Sequence, residues 1–281
     1  MNKQRRIDTF IYGIADFIMA MLAWACFFRY RKNLEGELSD LSTIMHDPNF
    51  WYGVLIIPIG WVLLYSIVDD YKDIYRLSRL NTLTKTFFLS FFGVFILFFT
   101  LILDDFVKDY TTYYQSFLSL FTYHFSLTAL SRMVLLTRAS RRLKAGLVSY
   151  NTIIIGGNKN AEDLYLEIKN LKKGLGNNFL GFIDTNGRST NELANHLPKL
   201  GKIKEISHII KSQTIEEVII AIETSEHNRL REIMSILYDF DQQILIKIIP
   251  DMYDIMLGTV KMNHVFGAIL IEIKQDLMPR W

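Results

Sequence analysis

The sequence has very little of the chemistry that disulfides, thiolate metal sites and nucleophilic sites require. Cys26 is the only cysteine among 281 residues, so an intrachain disulfide and a metal site built on several thiolates are excluded. Cys26 falls inside an apolar run, where we expect a small buried side chain. The six histidines are dispersed, and neither a Cys-His nor a Ser-His-Asp grouping follows from the spacing. We therefore predict no catalytic residues and no metal site in this chain.

A strong charge of either sign is also missing. The chain carries 31 Lys and Arg against 29 Asp and Glu, a net charge of +2, which gives no indication of nucleic-acid binding. The mean hydropathy of +0.18 is high for a soluble protein, and the apolar excess lies in the N-terminal half. Lys3, Arg5 and Arg6 precede the first apolar run without a small-residue cleavage site. This pattern predicts a retained membrane anchor and not a signal peptide.

The segment from Arg138 to Lys144 separates two kinds of sequence. Four of its seven residues are cationic, and a basic cluster after an apolar segment is typical of the cytoplasmic flank of a membrane span. Long apolar runs precede it, and short strands alternate with charged helices after it. We predict a helical transmembrane domain over residues 1–145 and a cytoplasmic α/β domain over residues 146–281.

Four apolar runs approach the roughly 20 residues that a helix needs to cross a bilayer. They cover residues 10–28, 50–68, 86–103 and 116–137. With the N-terminus inside, eleven Lys and Arg flank the cytoplasmic ends of these runs and four flank the outer ends, which is the expected bias. The sequence therefore predicts four transmembrane helices with both termini in the cytoplasm and the lipid bilayer as a partner.

Three ionisable residues lie inside the predicted spans. Asp16 is in the first, and His124 and Arg132 are two turns apart on one face of the fourth. Such groups are costly in lipid and usually face the interior of a helix bundle. One interpretation is a contact with a lipid phosphate or a sugar phosphate. The alternative, which we favour, is an interhelical pair of Asp16 with Arg132 that fixes helix packing.

The connection between the second and third runs combines apolar and basic residues. Tyr71, Ile74, Tyr75 and Leu77 alternate with Lys72, Arg76 and Arg79, and Lys85 follows. At helical spacing this pattern predicts an interfacial helix near residues 71–85, lying in the headgroup layer. The alternative is a short soluble helix that packs on the cytoplasmic domain.

The second half alternates strands with amphipathic helices. This order argues for a doubly wound, Rossmann-like parallel sheet with helices on both faces. We predict strands at residues 152–155, 178–184, 217–222, 244–249 and 268–273, and helices at residues 160–173, 203–211 and 227–240.

The first strand ends in a glycine turn that resembles a degraded dinucleotide motif. The six positions of Gly-x-Gly-x-x-Gly are occupied by Gly156, Gly157, Asn158, Lys159, Asn160 and Ala161. Asn158 replaces the glycine that lets a pyrophosphate approach, although Lys159 and a helix N-terminus would attract an anion. Asp184, at the end of the next strand, could hold a ribose. Two interpretations stay open, a nucleotide or nucleotide-sugar site and a turn that only defines the fold.

Several short stretches carry a resemblance along the whole chain. They are residues 75–80, the Asp104-Asp105 pair, residues 151–158, residues 181–184, and residues 267–273 leading to Leu277 and Trp281. In this order the chain resembles the N-terminal, non-catalytic region of the large polyprenyl-phosphate hexose-1-phosphate transferases, bacterial inner-membrane enzymes that begin exopolysaccharide and O-antigen synthesis.

The resemblance implies a catalytic domain that would follow this chain and that transfers sugar 1-phosphate from a nucleotide sugar to undecaprenyl phosphate with Mg²⁺. The sequence stops where that domain would start, so no catalytic residue of the family can be placed on it. The resemblance therefore implies an anchoring, regulatory or oligomerising module that works as a homo-oligomer or with a catalytic chain. Membrane-bound nucleotide-sugar dehydratases and epimerases, which share the first two domains, are a second possibility, as is a non-enzymatic sensor of nucleotide sugars.

Overall fold

The computed structural model describes residues 3–34, 41–102, 111–171, 175–185, 191–222, 227–240, 243–249 and 270–272. The chain divides into two compact units, Met1–Arg141 and Arg142–Trp281. We call them the helical unit and the α/β unit.

Within the described residues, the helical unit is built on four long helices. They are α1 (Lys3–Leu34), α3 (Pro48–Ile67), α4 (Arg79–Leu97) and α5 (Thr111–Lys144); the short helix α2 (Leu41–His46) precedes α3, and a π-helical turn (Phe98–Ile102) follows α4. The start of α3 is well specified, because the Asp47 side chain accepts a hydrogen bond from the Asn49 backbone N–H at 2.9 Å and Pro48 occupies the first helical position.

Three helices in the described part of the chain are long and apolar enough to cross a membrane. They are Gln4–Leu34, Pro48–Ile67 and Arg79–Thr100, and they include most of the first three predicted spans. The fourth predicted span lies in α5, which is less apolar because its buried face carries Ser116, His124, Thr128 and Arg132. Membrane crossing by α5 therefore stays a prediction.

The outer surface of the helical unit is apolar. Of the large hydrophobic side chains that are exposed among the described residues, all except Leu147 and Tyr238 belong to this unit, and Phe10, Ile56 and Phe92 are more than half exposed. Cys26 is exposed as well, so the expectation of a buried cysteine was wrong. Its position in the helix turns it toward the outer surface, where lipid would solvate an apolar side chain.

The predicted interfacial helix near residues 71–85 does not form as one element. Ile74–Arg76 is a single 3₁₀ turn, and α4 starts only at Arg79. The turn is favoured by Asp73, whose carboxylate accepts a hydrogen bond from the Tyr75 backbone N–H at 3.1 Å. Ile74 and Tyr75 are buried, so this part of the apolar stripe packs within the helical unit. The prediction of a single helix here is therefore wrong.

The α/β unit contains five parallel strands and one antiparallel edge strand among its described residues. The strands are β1 (Tyr150–Ile155), β2 (Asn177–Asp184), β3 (Lys199–Lys202), β4 (Glu217–Ile220), β5 (Leu245–Ile248) and β6 (Ile271–Glu272). Their order is β3-β2-β1-β4-β5-β6, and only β6 runs antiparallel to its neighbour. The first five strands follow the doubly wound order 3-2-1-4-5.

Helices cover both faces of this sheet. They are α6 (Lys159–Asn170), α7 (Ile206–Ser212) and α8 (His227–Leu237). Ile154 packs in one core with Leu164 of α6, and its neighbour Ile153 packs in the other core with Ile206 of α7 and Ile233 of α8. Alternate residues of β1 are therefore buried on opposite faces, as expected for a strand inside a doubly wound sheet. The predicted parallel α/β fold is confirmed.

Most of the predicted strands and helices of this unit are present. The short strand β3 was not predicted, because Lys199, Gly201 and Lys202 give it neither a β-branched run nor apolar alternation. The final strand, predicted over residues 268–273, is described only at residues 270–272, where β6 forms. The last part of the predicted helix over residues 160–173 lies outside the described residues.

Candidate functional site

A buried arginine lies at the centre of the helical unit. The inward face of α5 is occupied by every fourth residue, namely Ser116, Leu120, His124, Thr128, Arg132 and Leu136. Four-residue spacing keeps side chains on one face of a helix, so the sequence of α5 itself turns Arg132 inward. Arg132 has no exposed surface.

Asp16 and Asp70 neutralise Arg132 from two other segments. The Arg132 Nε donates to Asp16 Oδ1 at 3.0 Å and the terminal nitrogen Nη2 donates to Asp16 Oδ2 at 2.8 Å. The other terminal nitrogen donates to Asp70 Oδ2 at 3.0 Å and to Thr86 Oγ1 at 2.8 Å. Arg132 and Asp16 thus form a bidentate pair, and Asp70 accepts a further hydrogen bond from the same guanidinium. Bidentate Arg–carboxylate pairs are among the strongest hydrogen-bonded contacts of an arginine. Through these contacts Arg132 joins α1, the α3–α4 connection, α4 and α5.

Two further side chains complete this arrangement. Lys85 Nζ donates to Asp70 Oδ1 at 2.6 Å, and the Tyr71 hydroxyl donates to Asp16 Oδ2 at 2.9 Å. Burial of the Tyr71 hydroxyl, followed by the negative charge of Asp16, raises the pKa of Tyr71. We call Asp16, Asp70, Tyr71, Lys85, Thr86 and Arg132 the buried network. Two cations balance two carboxylates in it, so it carries no net charge.

His124 lies next to the buried network without touching its carboxylates. Its ring stacks on Trp61 with a centroid distance of 3.7 Å, and its Nε2 is 3.0 Å from the Tyr65 hydroxyl. The Tyr65 ring in turn lies 4.0 Å from the Arg132 guanidinium carbon, a cation–π distance. The structure thus brings Asp16 and Arg132 into direct contact and connects His124 to them through Tyr65.

This geometry leaves little of Arg132 for a ligand. Four of the five N–H groups of a guanidinium are used by Asp16, Asp70 and Thr86, and the side chain has no exposed surface. A lipid phosphate or sugar phosphate would have to displace a carboxylate to reach it. The arrangement therefore favours helix packing over phosphate binding.

Sequence reasoning found Asp16, His124 and Arg132 but missed the rest of the buried network. Asp70 and Lys85 lie outside the apolar runs; Lys85 was counted among the flanking cations, and Asp70 was not singled out. A usable signal was present in α4, where Thr82, Thr86 and Ser90 recur every four residues and are all buried. A polar stripe at this spacing in an otherwise apolar helix indicates an interior face.

The glycine turn lies at the carboxyl end of β1, between β2 and β4. Gly156 has φ +125°, and a Cβ at this position would lie 2.3 Å from the Ala221 carbonyl oxygen. Only glycine is compatible with both this backbone conformation and this contact. The first glycine of the turn is thus required by the packing of β1 against the end of β4, with or without a ligand.

The second glycine is covered by the protein itself. A Cβ on Gly157 would lie 2.6 Å from the side-chain oxygen of Asn191 and 2.9 Å from the Phe182 ring. The backbone N–H of Leu193 donates to the Gly157 carbonyl at 3.4 Å. The segment that begins at Asn191 therefore fills the space next to the turn.

The remaining residues of the predicted nucleotide site also have partners within the chain. Asn158 is the N-cap of α6, and its side-chain oxygen accepts a hydrogen bond from the Ala161 backbone N–H at 3.2 Å. Asp184 is buried, and its carboxylate accepts a hydrogen bond from Lys199 Nζ. Lys159 is exposed at the start of α6. Of the predicted residues, only Lys159 offers an exposed charge to a ligand.

A family model for a CoA-binding domain matches residues 70–250 of the chain, and this domain occurs in bacterial sugar transferases. No curated protein matches the chain significantly. In the described part of the chain, no three His, Cys, Asp or Glu residues are grouped so as to hold a metal ion.

The glycine turn does not fit the CoA that the family description implies. In a dinucleotide site the pyrophosphate lies against the second glycine of the motif and on the first N–H groups of the helix. Asn158 occupies that glycine position here, and its side chain already accepts a hydrogen bond from the Ala161 N–H. Asn191 and Phe182 lie against the neighbouring Gly157. A pyrophosphate could bind in that manner only if the Asn158 side chain released the Ala161 N–H.

Proposed function

Because the chain belongs to the CoA-binding domain family over residues 70–250, we propose that it is the membrane-anchoring part of a polyprenyl-phosphate sugar-1-phosphate transferase. The observation that carries this proposal is the extent of the match. It starts at Asp70 of the buried network, includes Arg132, and continues through all five parallel strands. The match thus covers parts of both units, and this domain occurs in bacterial sugar transferases.

The helical unit would hold the protein in the bacterial inner membrane. Its apolar side chains face outward, and three of its helices have the length and composition of spans. We propose that α5 is the fourth span, because its ionisable residues His124 and Arg132 face the interior, where the buried network supplies hydrogen-bond partners to Arg132. Lipid would then meet a face on which Leu118 and Leu130 are exposed together with the small polar residues Thr122 and Ser126. Both termini would face the cytoplasm, where the basic Arg138–Lys144 segment lies.

The α/β unit would regulate the transferase through protein contacts. The glycine turn is filled by the Asn191 segment, and Asp184 is paired with Lys199, so the features that would bind a nucleotide serve the fold instead. We propose that this unit contacts a second copy of the chain or a catalytic transferase domain. Mg²⁺ and the nucleotide sugar would be bound by that catalytic domain.

The test is sugar-phosphate transfer in native membranes. Membranes from a strain lacking this chain receive a radiolabelled nucleotide sugar, Mg²⁺ and undecaprenyl phosphate, and label in the lipid extract is counted. We expect transfer to fall on deletion and to return when the chain is supplied again. Transfer should also return with Arg29→Met, an exposed change on α1, and should not return with Arg132→Met, which breaks the buried network.

Other results would assign the chain elsewhere. Unchanged lipid-linked label after deletion would contradict the proposal. If deletion instead removes an altered nucleotide sugar from the aqueous phase, the chain belongs with a membrane-bound dehydratase or epimerase. Transfer of sugar phosphate by the purified chain alone would contradict the prediction that this chain has no catalytic residues.

A further inference from the structure

Five exposed arginines of the helical unit have no ion-pair partner in the part of the chain that the structure describes, and all but Arg29 lie near the N-termini of α1 and α4 or the C-terminus of α5. These four form one group. They are Arg6, Arg79, Arg138 and Arg141. We call them the arginine group. The guanidinium of an arginine can bind a phosphate with two parallel hydrogen bonds.

Contacts around the buried network place the arginine group at one end of the helices. Arg132 of α5 is bonded to Asp16 of α1. At a rise of about 1.5 Å per residue, Arg138 lies about 9 Å beyond Arg132 along α5, and Arg6 lies about 15 Å before Asp16 along α1. Arg79 starts α4, about 9 Å before Lys85, which is bonded to Asp70. Tyr30 of α1 contacts Tyr123, and Phe98 after α4 contacts Tyr113, so α1 and α4 both run antiparallel to α5. Each arginine is therefore displaced from the network toward the same end.

The charge of the arginine group is not compensated by its surroundings. The buried network is neutral, and nearby Lys72 is paired with Asp69 at 2.8 Å. Arg5 and Arg76 share Asp73, at 3.3 and 3.8 Å, and the carboxylate of Asp8, which accepts a hydrogen bond from Tyr75, balances the cation left over. Four positive charges therefore remain at this end.

Apolar side chains are exposed beside these charges. Leu80, next to Arg79, is 74% exposed, and Val134, one turn before Arg138, is 60% exposed. Arginines adjoining exposed aliphatic residues are typical of the headgroup level, where the aliphatic residues meet acyl chains and the guanidinium reaches the phosphates.

We propose that the arginine group binds the phosphates of anionic phospholipid headgroups in the cytoplasmic leaflet. This inference rests on the proposed membrane anchoring and adds a preference for lipid charge. Juxtamembrane cations attract anionic lipids with an energy that grows with each Lys or Arg, and four unpaired arginines at one level form such a cluster.

The experiment measures lipid binding by the full chain purified in detergent. Phosphatidylglycerol, phosphatidylcholine and inorganic phosphate are titrated separately, and bound lipid is counted by native mass spectrometry. The test variant changes all four arginines to glutamine. A matched control changes four exposed cations of the α/β unit to glutamine, Lys159, Lys202, Lys204 and Arg231, so that both proteins lose the same charge.

We expect phosphatidylglycerol to bind at least about tenfold tighter than phosphatidylcholine, and we expect the arginine variant to lose this preference while the control keeps it. Equal affinity for both lipids, or the same loss in both variants, would overturn the inference. Inorganic phosphate that competes fully with phosphatidylglycerol would identify a site for free anions and not for lipid. A chain that stays monodisperse without detergent would instead contradict the membrane anchoring itself.

Discussion

Large apolar side chains lie both inside and outside in the described part of the helical unit, but almost only inside in that of the α/β unit. Phe92 and Ile56 of the helices are more than half exposed, whereas Ile153 and Ile219 of the sheet are fully buried. The charged side chain of Arg132, in contrast, is completely buried in the helical unit. The difference is the one expected if, as proposed, lipid surrounds the first unit and water surrounds the second.

The most buried ion pairs of the two units differ as well, although other pairs of the helical unit, such as Lys85 with Asp70, have a partly exposed cation. In the sheet, the buried Glu217 pairs with Lys247, whose side chain is 21% exposed, and Asp184 pairs with Lys199, which is 41% exposed. In the helices, Arg132 and Asp16 are both buried, at 0% and 1% exposure. An ion pair with one partly exposed side chain avoids much of the cost of removing charge from water. When both side chains are buried, that cost is offset only if the hydrogen bonds between them have good geometry.

Arg132→Met tests this dependence with the largest effect we expect. It leaves Asp16 buried without a cation and Asp70 with Lys85 as its remaining cation, which costs about 3–5 kcal/mol in the free energy of unfolding. Unfolding of the detergent-solubilised chain by denaturant measures the change. The matched control is Arg138→Gln on the same helix, where exposure predicts a change within about 0.5 kcal/mol.

A second variant sharpens the same test. Adding Asp16→Asn to Arg132→Met removes the unpaired charge and leaves the pair of Asp70 with Lys85 in place. We expect this double variant to be more stable than the single one, because the uncompensated buried carboxylate causes most of the loss. A double variant that unfolds more easily would show that hydrogen bonding and not charge stabilises the network.

Isoleucine truncation compares the two solvents directly. Ile153→Ala opens a cavity in the sheet core and should cost about 2–5 kcal/mol in the free energy of unfolding. Ile56→Ala, at a position 64% exposed on α3, should change that free energy by less than about 0.5 kcal/mol. Equal losses in denaturant titrations of the full chain would mean that the exposed face of α3 is covered by protein.

Gly156→Ala tests the turn at the end of β1. The substitution combines a positive φ with a contact to the Ala221 carbonyl, so we expect a loss of about 1–3 kcal/mol. Gly146→Ala is the control, since Gly146 has φ +71° with nothing within 4 Å and should cost about 1 kcal/mol. Hydrogen exchange of β1 and α6 in the full chain reports both.

The smallest expected effect concerns Tyr71. Tyr71→Phe removes the hydrogen bond to Asp16 and should cost about 1 kcal/mol at neutral pH. Burial raises the pKa of Tyr71 above its ordinary value of 10.0, so the folded chain holds this proton more tightly than the unfolded chain does. The resulting stabilisation is present below pH 10 and is lost as the pH rises above it. Unfolding curves of both proteins on either side of pH 10 should therefore converge at high pH.

Periodicity was sufficient to predict most of the α/β unit. The β-branched run at Thr152–Ile155 predicted β1, and α6 followed from the spacing of Leu164 and Ile168. Strand β3 was not predicted, because its residue types do not favour a strand. It becomes a strand by pairing with β2 at the edge of the sheet.

The helical unit was harder to predict beyond its spans. Pairing of Asp16 with Arg132 followed from the cost of charge in lipid, but Asp70 and Lys85 become neighbours of Arg132 only through the turn after α3. The helical pattern over residues 71–85 was misleading, since Asp73 and Ser78 start separate helical segments. In the glycine turn, nothing local indicated that Asn191 would occupy the approach to Gly157.

The stacking of Trp61 on His124 gives the helical unit an internal optical reporter. Three of the four tryptophans, Trp24, Trp51 and Trp61, belong to that unit, and the described part of the α/β unit contains none. Separation of the indole from the imidazole should alter the emission of Trp61, whereas melting of the sheet alone should leave that emission unchanged. Fluorescence and far-ultraviolet dichroism, recorded together, can thus show which half of the molecule unfolds first, without an added label.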